Sequence, residues 1–250
     1  MAASLEPPVG PPLGFPKCPK CSYLRSGPPH TCLQCAAASF EGIAVNSCPI
    51  CNQMLEGSDC PNWLCSDPTR RIAKIHAIAY SSGPLRKTIL NYKYDGRTGW
   101  SLIFGRLLVA WLDQYAQSGP IDLIVANPTY VGDGGAPFGH TERVIDAAAK
   151  EDVLGEWPFD IDEPRAVLKV IATTKSAGHG APAKRTAAAE LRSALRIPDI
   201  ERVRGKRILI YDDVCTTGSQ LDAVAGFLID EGCAAEVAGI VLARAPWRQR

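Results

Sequence analysis

The sequence predicts an α/β protein in which helices flank a mostly parallel sheet, preceded by a cysteine-rich N-terminal module. After Arg71, short apolar segments typical of buried strands alternate with amphipathic segments typical of helices. Before that point, eight of the ten cysteines lie between Cys18 and Cys65. The hydrophobic fraction of 46% is enough for a substantial core, which excludes a chain that is disordered as a whole.

Each predicted strand is a short apolar or alternating segment, and each predicted helix has an amphipathic pattern. The strands are predicted at 72–80, 121–126, 166–172, 208–211 and 237–243. The helices are predicted at 85–92, 102–115, 142–153, 186–195 and 220–231, the last closed by Gly232. A parallel sheet of this kind binds ligands at the carboxyl ends of its strands.

Three segments of different composition are expected along the chain. Residues 1–16 contain five prolines and predict a disordered, extended tail. Residues 17–66 form the cysteine-rich module, and residues 67–250 form the α/β domain. We expect a cytoplasmic protein, because the N-terminus does not resemble a secretory signal and no apolar run is long enough for a bilayer.

The charge balance argues against binding to a membrane surface or directly to nucleic acid. The formal net charge is +1, which provides no global field to attract an anionic partner. Positive and negative side chains also balance within residues 17–66, and metal-bound thiolates would make that module negative. We therefore expect the module to have a structural role or to dock a protein partner.

The cysteine spacing predicts two structural Zn²⁺ sites. Four soft ligands satisfy tetrahedral zinc, and a C-x2-C turn directs two sulfurs to one point. The eight predicted ligands form two sets, Cys18, Cys21, Cys32 and Cys35, then Cys48, Cys51, Cys60 and Cys65. The sites are either successive or cross-braced, with the first and third pairs sharing one metal. Disulfides are the disfavoured alternative, because a reducing compartment is expected.

The segment 208–221 has the features of a phosphate-binding turn. Four apolar residues predict a strand, Asp212 and Asp213 follow, and a small hydroxyl-rich turn opens a helix. Such a turn offers backbone amides at a helix N-terminus, hydroxyl donors, and a glycine that allows close approach. Its predicted phosphate ligands are Thr216, Thr217, Gly218 and Ser219. The alternative is an ordinary strand-turn-helix with a threonine N-cap.

This segment resembles the fingerprint of the type I phosphoribosyltransferases at every position. A narrower similarity, to the ComF-type phosphoribosyltransferases, rests on four further segments. These are Gly83-Pro84-Leu85-Arg86, Asn91-Tyr92-Lys93-Tyr94-Asp95-Gly96, Gly205-Lys206-Arg207 and Leu242-Ala243-Arg244-Ala245. The ComF family also carries an N-terminal zinc element before its transferase domain, which is the order of segments expected here.

The resemblance implies a type I phosphoribosyltransferase fold and a phosphoribosyl-transfer activity. Phosphoribosyl pyrophosphate would bind with Mg²⁺, and its phosphoribosyl group would pass to a nitrogen acceptor that the sequence does not identify. By this resemblance Asp212 and Asp213 bind the ribose hydroxyls, and the turn Thr216–Ser219 binds the 5-phosphate.

One departure from the family concerns the charge that should face pyrophosphate. The family carries an arginine-rich loop after the second strand, whereas this chain has no lysine or arginine between Arg106 and Arg143. Lys175, Lys184 and Arg185, in the loop predicted at 173–185, either replace that charge from a mobile loop or belong to a solvated basic loop.

Two functions therefore remain open. One is a transferase with a degenerate pyrophosphate loop, and the other is a non-catalytic sugar-phosphate-binding regulator or scaffold linked to DNA uptake. Cys215 and Cys233 are expected to be buried, non-catalytic residues.

Overall fold

The centre of the protein is a parallel sheet of four strands. The computed structural model describes residues 41–55, 57–95, 97–115, 119–173 and 181–246. The strands in these ranges are β1 (Ile75–Tyr80), β2 (Leu123–Ala126), β3 (Leu168–Lys169), β4 (Leu195–Arg196), β5 (Arg207–Cys215) and β6 (Glu236–Arg244). The main sheet has the order β1-β6-β5-β2, and every neighbouring pair is parallel. The predicted α/β class is confirmed.

Helices cover this sheet on both faces. They are α1 (Trp63–Ser66), α2 (Gly83–Tyr94), α3 (Trp100–Tyr115), α4 (His140–Glu151), α5 (Ala181–Ser193) and α6 (Ser219–Asp230), with a 3₁₀ turn at Ile200–Arg202. In the part of the chain that the structure describes, none of the helices combines the length and the apolar character needed to cross a membrane.

Two hydrophobic cores lie on opposite faces of the sheet. Alternation along β5 places Leu209 and Tyr211 in one core, with α2, α3 and α4. Ile208 and Ile210 lie in the other core, with α5 and α6. Because both faces of β5 are buried, its sequence is a continuous apolar run rather than an alternating one.

Irregular segments cover both edges of the main sheet. Along β1, the amide of Tyr80 donates to the carbonyl of Glu41 at 2.7 Å, and the amide of Ile75 donates to the carbonyl of Ile50 at 2.7 Å. Along β2, the amide of Ile124 donates to the carbonyl of Pro158 at 2.8 Å. The described part of the cysteine-rich module therefore protects a strand edge that would otherwise be open to pairing with another chain.

The prediction of a strand at 166–172 is wrong in the length of the strand and in the sheet to which it belongs. Only Leu168–Lys169 is extended, and it pairs antiparallel with Leu195–Arg196 in a separate two-stranded sheet. Buried Asp160 explains the difference, because its carboxylate accepts a hydrogen bond from the amide of Ala166 at 2.9 Å and pairs with Arg202. This polar contact takes the place of a bond to a neighbouring strand.

Candidate functional site

The two acids of the candidate site lie inside β5 and not after it. The strand predicted at 208–211 continues to Cys215, so Asp212 and Asp213 belong to the sheet. Their exposed fractions are only 7% and 1%. The acids are therefore enclosed by protein, whereas the sequence predicted a pair at the open end of a strand.

Asp212 is fixed by hydrogen bonds to both of its carboxyl oxygens. Oδ2 accepts from Nδ2 of Asn127 at 2.9 Å, and Oδ1 accepts from the amide of Asp213 at 2.8 Å. Burial, and then the neighbouring Asp213 carboxylate, raises the pKa of Asp212 to about 7. Asp212 therefore loses its proton at a higher pH than an exposed aspartate does.

Asp213 is the buried anion around which the other polar side chains gather. Nζ of Lys93 lies 2.7 Å from its Oδ1, and Nε2 of His140 lies 3.5 Å from its Oδ2. Oδ2 makes no hydrogen bond to any described residue, although it is buried. An enclosed carboxylate oxygen without a donor is costly, so this oxygen fits a ligand that brings a hydroxyl group.

Lys93 supplies the positive charge of this cluster. Burial acts to lower the pKa of Lys93, but the attraction of Asp213 and Asp212 outweighs burial and raises it. Burial lowers the pKa of His140 despite the opposing attraction of Asp213, so its imidazole is mainly neutral at pH 7. The hydroxyl of Tyr92 donates to the carbonyl of His140 at 2.6 Å and fixes the start of α4 beside the acids.

Sequence reasoning did not assign Lys93, Asn127 or His140 to the site. Lys93 was visible within the Asn91–Gly96 element, and Asn127 directly follows β2 at the carboxyl end of a parallel strand. Pairing of β2 with β5 brings Asn127 to Asp212, since the amide of Asn127 donates to the carbonyl of Tyr211 at 2.7 Å. No local signal marked His140, which reaches Asp213 only through the folding of α4.

The turn Thr216–Ser219 has the geometry of an anion-binding loop. Gly218 has φ +87° and is the N-cap of α6, a conformation that favours glycine. The hydroxyls of Thr217 and Ser219 are 2.8 Å apart. No described residue accepts a hydrogen bond from the amides of Thr216, Thr217 or Gly218. Amides at a helix N-terminus with no acceptor are suited to bind phosphate oxygens.

Side chains at the start of α4 hold the loop between β2 and α4. Oε1 of Glu142 accepts from the amide of Thr129 at 2.7 Å, and the hydroxyl of Thr141 donates to the carbonyl of Asn127 at 2.7 Å. Glu142 therefore brings a carboxylate to this loop, which carries no lysine or arginine.

The three predicted basic ligands are only partly described. Lys175 lies outside the described residues. Lys184 and Arg185 lie in α5, which begins at Ala181, so this part of the loop predicted at 173–185 is helical.

The two cysteines outside the module differ from each other. Cys215 is buried, as expected, and burial raises its pKa to about 11, which argues against a nucleophilic thiolate. Cys233 is exposed, so the expectation that it is buried is wrong. It has φ +54° and occupies the turn after α6, where its side chain has no core to enter.

Four cysteines form a cluster that could hold a metal such as zinc. The Sγ atoms of Cys48, Cys51, Cys60 and Cys65 all lie within 4.8 Å of one another. The Cys48–Cys65, Cys51–Cys60 and Cys60–Cys65 Sγ distances are each 3.7 Å. Tetrahedral zinc with Zn–S bonds of about 2.3 Å requires sulfurs roughly 3.8 Å apart. The residues therefore fit a tetrathiolate zinc site.

All four cysteines of this cluster belong to the second set. That is the arrangement expected for successive sites rather than cross-braced ones. Cys18, Cys21, Cys32 and Cys35 lie outside the described residues, as does the proline-rich segment 1–16.

Comparison with known proteins gives no assignment. The chain matches no protein-family model and no curated protein. The proposals below therefore rest on the residues and their geometry, together with the motif resemblance.

Proposed function

We propose that the chain is a zinc-containing phosphoribosyltransferase of the ComF type, which binds phosphoribosyl pyrophosphate and transfers its phosphoribosyl group to a nitrogen nucleophile. One observation carries the proposal. On β5, a pair of buried acids, one with a carboxylate oxygen that accepts no hydrogen bond from a described residue, is separated by two residues from a turn. In this turn the amides of Thr216, Thr217 and Gly218 have no acceptor among the described residues. Ribose 5-phosphate carries hydroxyl donors and a phosphate, the complementary groups.

In this proposal β5 binds the ribose, and the turn after it binds the phosphate. Asp213, through Oδ2, and Asp212 accept hydrogen bonds from the ribose hydroxyls. The amides of the turn Thr216–Ser219 and its hydroxyls bind the 5-phosphate. Gly218 has a φ of +87°, a backbone conformation that favours glycine, and so allows the sharp turn that begins α6.

Catalysis in this proposal depends on position and electrostatics. The nucleophile displaces pyrophosphate at the anomeric carbon, and positive charge develops on the ribose ring in an oxocarbenium-like transition state. The Asp212 and Asp213 carboxylates stabilise that charge when they are ionised. Mg²⁺, bound with the substrate's pyrophosphate, would neutralise the leaving group. Lys93 bonds to Oδ1 of Asp213, so a ribose hydroxyl at Oδ2 leaves this ion pair in place and Lys93 keeps the carboxylate oriented.

Binding of ribose 5-phosphate tests the proposal most simply. Isothermal titration calorimetry should detect binding to the wild-type protein and at least a tenfold loss (about 1.4 kcal/mol) for Asp213→Asn, since one buried charged acceptor is removed. Asp230→Asn is the matched control, because Asp230 is an exposed acid at the far end of α6. Equal affinity for wild type and Asp213→Asn would contradict the assignment.

A second candidate, a non-catalytic sugar-phosphate-binding regulator or scaffold, is favoured by the β2–α4 loop. Glu142 and the absence of lysine and arginine between Arg106 and Arg143 weaken any pyrophosphate subsite. The cysteine-rich module would then dock a protein partner. An assay of pyrophosphate release across a panel of nucleobases separates the two candidates, since the regulator binds phosphoribosyl pyrophosphate without releasing pyrophosphate.

A further inference from the structure

The turn Thr216–Ser219 accepts a hydrogen bond from a side chain in the segment that joins two cysteines of the cluster. Nδ2 of Asn62 donates to the carbonyl of Thr217 at 2.9 Å. Asn62 is fully buried and lies between the cluster residues Cys60 and Cys65 in the sequence. The same side chain accepts from the amide of Leu64 at 3.4 Å and so begins α1. The position of Asn62 is therefore set by the segment that joins two metal ligands.

Arg244 makes a second connection between the cluster and the turn. This residue ends β6 and is fully buried. Its Nη1 donates to the carbonyl of Cys215 at 2.9 Å and also to the carbonyl of Thr216. Its Nη2 lies 3.6 Å from Sγ of Cys51. One guanidinium thus contacts both the start of the turn and a metal-ligand sulfur, and it offsets part of the negative charge of a tetrathiolate site.

Apolar packing adds a third connection. A Cβ at Gly218 would lie 3.1 Å from Cδ2 of Leu64 and 2.6 Å from Cδ1 of Ile75. Leu64 is next to the ligand Cys65 and is 2% exposed. The backbone of the turn therefore packs closely against Leu64, so the position of Leu64 affects the conformation of the turn.

We propose that the metal held by Cys48, Cys51, Cys60 and Cys65 orders the phosphate-binding turn, and that Asn62 is the positioning residue that connects them. The module's described part has little apolar core of its own, with Leu64 its one buried aliphatic residue. Such a small element takes its folding free energy from the metal. Loss of the metal releases Asn62 and leaves the carbonyl of Thr217 without its donor.

Two consequences follow, of which one rests on the proposed function. The first concerns the turn alone: the amides hydrogen-bonded to it, Ser219 to Oγ1 of Thr217 and Asp222 to the carbonyl of Gly218, should exchange with solvent faster when the metal is lost. The second depends on phosphate binding by Thr216–Ser219: ribose 5-phosphate and the metal should stabilise each other. Because coupling between the affinities of two binding sites is reciprocal, ribose 5-phosphate should raise the affinity for zinc, measured at equilibrium by competition with a chromogenic chelator.

Hydrogen exchange measured by mass spectrometry tests the inference without relying on activity. Cys60→Ser removes one ligand, and Asn62→Ala leaves all four cysteines in place. Both variants should raise the exchange rate of the amides of Ser219 and Asp222 about tenfold, the effect of losing one buried hydrogen bond. Zinc content should fall in Cys60→Ser and be retained in Asn62→Ala. The Asn62 variant keeps the test valid if Cys60→Ser does not fold.

Asn52→Gly is the matched control. Oδ1 of Asn52 accepts from the amide of Ala77 at 2.9 Å, so it connects the same module to β1 rather than to the turn. Asn52 has φ +54°, and glycine retains that backbone conformation. Exchange of the Ser219 and Asp222 amides should therefore stay at the wild-type rate in Asn52→Gly.

The outcomes separate this inference from the proposed function. Unchanged exchange of the turn in Asn62→Ala, or an equal rise in Asn52→Gly, would overturn the role of Asn62. Faster exchange in Asn62→Ala alone would support it, even if wild-type protein failed to bind ribose 5-phosphate. That failure would instead refute the sugar-phosphate function.

Discussion

Asp212 is a carboxyl group whose protonation should be visible in the stability of the protein. Its pKa is raised from 3.8 to about 7 by burial and by Asp213. Between these values the folded protein keeps a proton that the unfolded chain loses, so the Asp212 contribution makes folding less favourable as the pH rises from about 4 to 7. Asparagine has no carboxyl proton, so Asp212→Asn removes this pH dependence.

The Asp212→Asn variant should therefore gain stability relative to wild type as the pH increases. Urea unfolding at pH 5 and pH 7.5 gives the comparison, and the difference in the free energy of unfolding should shift in favour of the variant at pH 7.5. Asp230→Asn, which changes an exposed carboxyl group, provides the control. A difference that does not vary with pH would show that Asp212 ionises normally.

The position of Gly218 requires a positive φ and leaves no room for a Cβ, and only glycine meets both conditions. Alanine there adopts φ +87° at a cost of about 1–2 kcal/mol and also places its Cβ 2.6 Å from Ile75. Gly205→Ala is the control, since Gly205 has φ +71° but nothing within 4 Å of an added Cβ. Gly218→Ala should lower the free energy of unfolding more than Gly205→Ala and should alone abolish ribose 5-phosphate binding. Equal losses of stability in the two variants would contradict the close packing of Gly218 against Ile75.

The sequence predicted those site residues that are neighbours along the chain. Asp212, Asp213 and the turn Thr216–Ser219 form one continuous segment, so their chemistry is visible without a fold. Lys93 and His140 come from α2 and α4 and meet Asp213 only because both helices pack on the same face of the sheet. No spacing rule within a single sequence reports such a contact.

At the scale of elements, α3 and α4 pack unusually closely at Gly105. A Cβ at Gly105 would lie 2.6 Å from the backbone nitrogen of Ala148. Overpacking of about 1–3 kcal/mol exceeds the roughly 1 kcal/mol that alanine gains in a helix, so Gly105→Ala should lower stability. Gly99→Ala, at a position with open space, should be near neutral. Thermal unfolding of both variants is the measurement, and equal melting temperatures would contradict the close packing.

Element prediction succeeded where the apolar pattern decides the structure and failed where polar contacts do. The apolar runs that became β2 and the first half of β5 are buried on both faces, so burial of their side chains decides their structure. In the predicted strand 166–172, the amide of Ala166 bonds to Asp160, which lies several residues earlier. The extension of β5 past Tyr211 was also missed, because Asp212 and Asp213 are residues that are depleted in strands.

At the scale of the whole molecule, the cysteine-rich module and the sheet form a continuous structure. Segment 41–54 covers β1, and the cluster of four cysteines that could hold zinc lies between that edge and the turn after β5. Removal of the metal should therefore lower the melting temperature and expose the β1 edge, which favours association of chains. Calorimetry and size-exclusion chromatography, before and after chelation under reducing conditions, measure both effects. Recovery on addition of Zn²⁺ is the control, and an unchanged melting temperature after complete metal loss would contradict the structural role.

The sugar-phosphate site is tested most directly by nuclear magnetic resonance of the labelled protein during titration with ribose 5-phosphate. The amide resonances of Thr216, Thr217, Gly218 and Ser219 should shift together with that of Asp213, along one saturating curve. Inorganic phosphate should shift the turn resonances and leave Asp213 unchanged, because it carries no ribose hydroxyls. Shifts confined to other parts of the protein, or none at millimolar ribose 5-phosphate, would contradict the proposed site on β5.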